Sequence, residues 1–306
     1  MIYLKPRCGL CNRIRAISSA LALARSVSGG SAKVRVCVVW ANDGGMRVPY
    51  RELFIPSGAF DLVDFGDGRM AELVSRFNPS NPHYLGHDND RSREQLLSSL
   101  ESVRRAPGED WYIETCYSFS NGREHAWMKP VPPVEAEVAR WVSRMGENRI
   151  GIHIRRTDNA NSIAYSPVRA FVSVLRRELA ADPDATFYLA SDDERIKRRL
   201  RDEFGDRVLV RTGLPGREDD GGVVQGLVDL LLLAQTRKVY GSYWSSFSRT
   251  AAQLGGLSFE QVMGTRMGNA FRLAYLTILK KLRDVVRRLR KRLGRCRSSP
   301  RSSGSR

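Results

Sequence analysis

Residues 150–165 read IGIHIRRTDNANSIAY, an apolar run that ends in His153, two adjacent arginines and Asp158. A guanidinium is a planar fork of donors that matches phosphate oxygens and keeps its charge when desolvated. Adjacent residues on an extended strand point to opposite faces, so Arg155 and Arg156 cannot do the same job. One can meet an anion while the other braces Asp158 or the next helix. A structural ion pair among Arg155, Arg156 and Asp158 also accounts for the pattern.

Two more stretches put polar groups where a strand ends. FYLASDD places Ser191, Asp192 and Asp193 before a helical segment, DERIKRRL. Acids there suit an N-cap and the helix dipole, so at least one aspartate is expected to cap. In YGSYWSSFSRTAAQLGG (240–256), Ser242, Ser245, Ser246 and Ser248 surround the start of a small-residue helix, more hydroxyls than capping needs. Hydroxyls and free N–H groups at a helix start receive phosphate. Arginines at one strand end and serines at a neighbouring one make a pyrophosphate site. The sequence has neither G-x-x-x-x-G-K-[ST] nor G-x-G-x-x-G, which argues against a P-loop nucleotidase and against dinucleotide redox chemistry.

The elements that must carry these residues alternate between strand and helix. IYLK (2–5), a PRCGLCN turn, a helix from about Arg13 to Ser26 and KVRVCVVW (33–40) form a β-turn-α-β unit. Weaker patterns follow: FDLVDFG and WYIETCYS as strands, QLLSSLESVRR as a helix. After the proline-broken KPVPP (129–133) the alternation resumes with strands RIGIHI, ATFYLAS, RVLV and KVYGS separated by helices. The order predicts an α/β protein with two Rossmann-like domains, 1–132 and 133–265. At 306 residues the chain has room for both, since a domain commonly takes about 100–150 residues.

The segments GIHIRRTD, FYLASDD and SYWSSFSRTAA, in that order and spacing, resemble the three donor-binding motifs of the GDP-fucose-dependent fucosyltransferases of GT-B-like fold, the α-1,6 group and its O-fucosyltransferase relatives. CGLCNRIRA is similar to that superfamily's N-terminal glycine-asparagine-arginine loop. The resemblance covers roughly residues 3–40 and 148–256. It implies two Rossmann-like domains facing a cleft, the first on the acceptor side and the second holding the nucleotide sugar. It implies that Arg155 contacts the donor's β-phosphate, with Arg156 and Asp158 also catalytic and His153 shaping the pocket. Asp192 or Asp193, together with Asp229, would receive guanine and ribose; Ser245, Ser246 and Ser248 would hold the phosphates, and Gly9, Asn12 and Arg13 would complete the site. The implied reaction inverts configuration, takes fucose from GDP-fucose or another GDP-sugar to a glycan acceptor, and uses no metal or other cofactor. This chain departs at three positions. Asn159 stands where the α-1,6 enzymes have lysine and Ile163 where they have a glutamate, a candidate base. Cys11 stands where a glycine is usual. Asp158 is then the nearest candidate base, with Glu114 and Glu124 of the first half as outsiders.

Other readings are weaker. Asp88-Asn89-Asp90 spells a metal-binding D-x-D but follows a poor strand. A lectin that kept the fold without catalysis accounts for Ile163. Nucleic-acid binding rests only on the charge of the tail: residues 266–306 carry 14 Lys and Arg against the single acid Asp284, most of the net charge of +17. The body spells no nucleic-acid module. Within 271–293, Leu276, Leu279, Leu282, Val286, Leu289 and Leu293 share one helical face, and cations crowd the other. That pattern suits an anionic membrane surface, with RSSPRSSGSR beyond it expected to be disordered. With 42% hydrophobic and 27% charged residues the rest reads as an ordinary globular body. The N-terminus lacks the apolar core of a signal peptide and no run of about 20 apolar residues occurs, so a cytoplasmic, peripherally membrane-bound protein is expected. Cys8 and Cys11 form a lone C-x-x-C, read as small residues in a turn, since two ligands do not make a zinc site.

Overall fold

The structure, a computed structural model, describes residues 1–28, 33–86, 93–106, 108–122, 124–213, 220–265 and 275. The basic helix expected over 271–293, Tyr275 excepted, and the Asp88-Asn89-Asp90 segment lie outside the described residues.

The first sheet comprises β1 (Ile2–Pro6), β2 (Val36–Val39), β3 (Asp61–Val63), β4 (Tyr84–Gly86) and β5 (Trp111–Thr115) in the order β3-β2-β1-β5-β4. The second comprises β6 (Arg149–Ile154), β7 (Thr186–Ser191), β8 (Val208–Val210), β9 (Lys238–Ser242) and β10 (Ser258–Val262) in the order β10-β9-β6-β7-β8. Every pairing within both sheets is parallel. Parallel strands covered on both faces must be apolar throughout, and VCVV of β2 is buried at all four positions.

In each sheet the chain runs outward from a central strand, β1 or β6, and then returns to that strand's other side. That reversal opens a crevice at the carboxyl ends, where open α/β sheets bind ligands. In the second sheet it falls between β6 and β9, the two strands whose ends carry the arginines and the serines.

The helices are α1 (Leu10–Val27), α2 (Tyr50–Leu53), α3 (Met70–Arg76), α4 (Arg93–Arg105), α5 (Pro132–Val142), α6 (Ala160–Tyr165), α7 (Val168–Ala181), α8 (Glu194–Phe204), α9 (Asp220–Ala234) and α10 (Ser246–Gly255). Helix α1 begins at Leu10, three residues before the sequence reading. Gly9, not the residues after it, is the N-cap, and the Asn12 and Arg13 N–H groups already point back to its carbonyl at 3.0 and 3.2 Å.

Helix α9 explains why the two sheets form one body. Leu227, Val228, Leu230, Leu232 and Leu233 are all buried, so the helix is apolar on more than one side. They share a continuous apolar cluster with Ile2, Leu4, Ile14, Ile17 and Ile113 of the first half. The other face of the second sheet packs Ile150, Ile152, Ile154, Phe187 and Leu189 under Phe171 and Leu175 of α7. Helix α9 approaches β6 so closely that a Cβ on Gly151 would stand 2.9 Å from Thr236 Oγ1 and 3.0 Å from Leu233 Cδ2.

Candidate functional site

Side-chain alternation along β6 sorts the motif. Ile150, Ile152 and Ile154 enter the α7 core, so Gly151, His153 and Arg155 project to the face shared with α9 and α10, and Arg156 to the α6 side. His153 is buried and stacks on Phe247 of α10 at 4.8 Å between ring centroids, with Nδ1 3.4 Å from Ser245 Oγ. Arg155 grips Asp158 with both arms, Nε to Oδ1 at 2.8 Å and one terminal nitrogen to Oδ2 at 2.7 Å. Hydrogen bonding to Asp158 raises the guanidinium pKa against the cost of burial, and Asp192 and Cys11 add their fields. Cys11 sits in the first turn of α1, so the glycine-asparagine-arginine loop of the first half lies within electrostatic reach of Arg155. Arg156 instead donates to the carbonyls of Ile163 and Ser166 at 3.3 and 3.4 Å and ties α6 to the strand end.

The aspartates hold backbone. Asp192 accepts from the N–H groups of Arg156 (2.7 Å) and Thr157 (3.2 Å) and from Thr157 Oγ1 (2.7 Å), fixing the turn after β6. Asp193 is the N-cap of α8 and accepts from Arg195 N–H at 2.9 Å, the capping role that one of the pair was expected to play. Asp229 on α9 accepts from the Tyr188 hydroxyl at 2.6 Å and from Arg211 at 2.8 Å, and Arg211 is itself buried.

The serines divide by depth. Ser242, fully buried, accepts from the Arg155 N–H at 3.0 Å. Ser245 is the N-cap of α10 without a side-chain capping bond, and Ser246 is its first helical residue. The first turn of α10 therefore keeps N–H groups that a ligand anion can take up. Ser248 is different. It is fully buried, its hydroxyl has no hydrogen-bond partner, and it packs against β9 so tightly that a Cβ on Gly241 would come 2.1 Å from its Oγ. Its place is beneath the helix start, where it lets α10 approach the sheet.

In the N-terminal loop, Gly9 and Asn12 stay partly exposed, and the Asn12 side chain accepts from Arg15 at 2.7 Å. Arg13 is fully buried. It donates to the carbonyls of Cys8 (3.0 Å) and Ala41 (2.9 Å), pairs with Asp43 at 2.9 Å and lies 4.7 Å over Trp40. Burial lowers its pKa to about 10, partly offset by Asp43. A fully buried arginine that bonds two loop carbonyls shapes the loop from behind.

No protein-family model and no curated protein matches the chain. Solved structures do. NodZ alpha-1,6-fucosyltransferase, determined with GDP-fucose, superposes with a TM-score of 0.58 over 83% of this chain and 92% of its own, at 17% identity. The chain has the GT-B fucosyltransferase fold. Arabidopsis thaliana FUT1 with GDP matches at a TM-score of 0.59, covering 85% of this chain and 69% of that one at 14% identity. POFUT1 with GDP matches at 0.53, covering 85% and 98% at 9% identity.

Sequence reasoning named Glu114 only as an outlying base and missed the charged centre around it within this fucosyltransferase fold. At the carboxyl end of the first sheet, Arg7 binds Asp43 (3.1 Å) and Glu114 (2.6 Å), and Glu114 also takes Lys5 (3.0 Å) and the Tyr84 hydroxyl (2.9 Å). Burial alone would raise the Glu114 pKa, but Lys5 and Arg7 bring it below the usual value. An open cavity of about 690 Å³ lies beside this cluster, lined by Lys5, Arg7, Asn42, Asp43, Phe65 and Asp67 among others. The signal was present: Arg7 and Asp43 each follow a strand, as Arg155 does. Among the described residues no helix is long and apolar enough to cross a membrane.

Proposed function

We propose that the protein is an inverting glycosyltransferase that moves fucose from GDP-fucose, or a close GDP-hexose, to a glycan acceptor. The observation that carries this reading is the placement of Arg155 and the open first turn of α10 on either side of the β6–β9 crevice, in a fold whose solved relatives hold GDP. The acceptor oxygen forms a bond to the anomeric carbon from the far side while the bond to the β-phosphate oxygen breaks and its electron pair leaves with GDP. Arg155 and the α10 N–H groups stabilise the charge that develops on the diphosphate, the role a preorganised donor set plays most effectively. Ser245 and Ser246 complete the phosphate receptor, and Asp158 takes the acceptor proton. Asp192, Arg13 and Asp229 act on the donor through the backbone and side chains they hold. The acceptor enters over the first sheet, where the cavity beside Arg7 and Asp43 offers polar groups around an apolar patch.

Calorimetry and thermal shift with GDP, UDP and CMP test the donor assignment. GDP-selective stabilisation is expected, because a ligand that binds the folded state alone stabilises it by mass action. Tighter binding of UDP than of GDP overturns it. Transfer is expected to be indifferent to EDTA, the arginines and N–H groups doing the work of a metal.

The basic segment 271–293 supports docking to an anionic membrane, which would bring the enzyme to a surface-borne acceptor; each basic residue near such a surface contributes about 1 kcal/mol. The full chain is expected to sediment with phosphatidylserine vesicles, and a chain ending at Thr265 to stay in solution and still bind GDP. Equal sedimentation of both removes the membrane role.

A further inference from the structure

Trp244 is left-handed, with φ +57°, and 64% exposed. A bulky side chain in that region is a backbone outlier that costs about 1–3 kcal/mol, and such strain persists only where the surroundings over-determine it. Here they do. The Tyr243 N–H donates to Ser166 Oγ at 2.7 Å, and the Tyr243 carbonyl accepts from Ser162 Oγ at 2.6 Å. Both serines are fully buried, and Ser166 is anchored in turn on the Val262 carbonyl at 2.6 Å. Tyr243, the residue before Trp244, is thus held at both its N–H and its carbonyl by α6 and the residue that ends it. The clamp does not bury the indole; it presents it. Packing against Tyr243 covers only part of the ring, little return for the strain.

The indole stands between the end of β9 and Ser245, the N-cap of α10, at the rim of the crevice. Behind it runs a file of rings. Trp244 lies 5.6 Å from Tyr243 at 53°, and Tyr243 lies 4.9 Å from Tyr165 at 42°.

We propose that Trp244, backed by Tyr243 and Tyr165, is the stacking platform that seats the acceptor's pyranose rings beside the donor. This rests on the transferase reading above. A pyranose offers an apolar C–H face to an aromatic ring while its rim hydroxyls stay wet, which suits an indole held exposed. The stagger of the three rings decides between ligands: a single planar base needs one flat partner, whereas successive sugars of an oligosaccharide turn relative to one another and meet rings that turn with them. Trp244 therefore sets acceptor affinity and leaves the nucleotide to Arg155 and α10.

The test uses the full chain. Wild-type transfer from radiolabelled GDP-fucose is read across a glycan array, and the best acceptor is carried into kinetics with Trp244→Ala, Trp244→Phe and Trp244→Gly. The alanine variant is expected to raise the acceptor KM about tenfold, in the range of an aromatic contact plus its buried area, with donor KM and GDP affinity within about twofold of wild type. Phenylalanine should recover most of the loss. Glycine, which tolerates positive φ, should raise Tm while it weakens the acceptor, a pairing that a structural tryptophan would not give. An unchanged acceptor KM in Trp244→Ala overturns the proposal, as does an equal loss of GDP affinity, which would assign the ring to the base. Wild-type protein that binds GDP but modifies no glycan overturns transfer and this site together. Failure to bind GDP overturns the donor reading beneath both.

Discussion

Arg155 and Asp158 meet as a two-point fork three residues apart, at 2.8 and 2.7 Å, beside the β6–β9 crevice. The geometry pre-aims the guanidinium. In the proposed reaction an arriving diphosphate meets a cation already fixed in direction, and the carboxylate is brought to the crevice by the same bond. Arg155→Lys keeps the charge and loses the fork, so turnover should fall about 10²-fold or more. Near-normal initial rates in that variant would remove Arg155 from the reaction.

Asp158→Asn separates two roles. As base its loss should cost about 10²–10⁴-fold in transfer, with GDP affinity by calorimetry unchanged or tighter because Arg155 is released to the phosphates. Full transfer in the asparagine variant makes Asp158 a brace only.

Asp229 anchors Tyr188 and the buried Arg211, and its first effect should be on stability. Asp229→Ala leaves the buried Arg211 guanidinium with the longer Glu137 contact at 3.6 Å, so the loss should fall below the about 3–5 kcal/mol of a buried charge stripped of its partner. A clear fall in Tm and denaturant midpoint is expected, with Asp229→Asn milder. If Asp229→Asn keeps wild-type Tm yet lets UDP compete with GDP, the residue reads the base directly.

Depth predicts an unequal series among the serines. Ser248→Ala removes a buried hydroxyl that has no partner, so stability should hold or rise and GDP affinity stay within about twofold. Ser245→Ala and Ser246→Ala should weaken GDP. Gly241→Ala drives a Cβ into Ser248 and should lower both Tm and GDP affinity, with Ser248→Gly restoring part of each. A normal Gly241→Ala protein would mean that α10 is free to shift.

What the sequence revealed follows from where each structural cause lies along the chain. RIGIHI, TFYLAS and KVYGS are strands because both faces are covered, and an unbroken apolar run carries that locally. The motifs at their ends were legible for the same reason. Residues 41–110 were legible only in part: FDLVDFG contains β3 and QLLSSLESVRR falls within α4, but α2 spans only four residues, and the N–H groups of Tyr50 and Arg51 in it are capped by Asp64, 14 and 13 positions on. A cap supplied from that distance leaves no local pattern. Likewise Asp192 and Ser248 read as ligand groups because their spelling is that of a ligand site, and only tertiary contacts reveal what each one holds. Trp244 carried no signal at all, since its left-handed backbone is imposed by serines about 80 residues away.

The reversal point of the first sheet makes a separate, pH-resolved prediction. Cys8 follows β1 with φ +65°, and its neighbour Arg7 donates its N–H to the Thr115 carbonyl at 2.9 Å, one residue before Cys116. Hydrogen bonding with the Cys116 thiol lowers the Cys8 pKa to about 6, with Arg7 and Arg13 assisting and burial and Asp43 opposing; Cys116 is correspondingly raised. The lowered pKa raises the thiolate fraction of Cys8 near neutral pH, and the thiolate is the nucleophile. Its rate of alkylation by iodoacetamide, located by peptide mass, should be half-maximal near pH 6. Cys116→Ala should move that midpoint up toward the free-thiol value of about 8.5, and Cys116→Ser, which still donates, should move it less. The linkage has a definite sign. A folded pKa below the unfolded one adds stability that is complete above about pH 8.5 and is lost as pH falls through about 6. The wild type should therefore gain on Cys116→Ala between pH 6 and 8.5 in denaturant midpoint, and parallel curves over that window would show that Cys116 does not set the Cys8 charge.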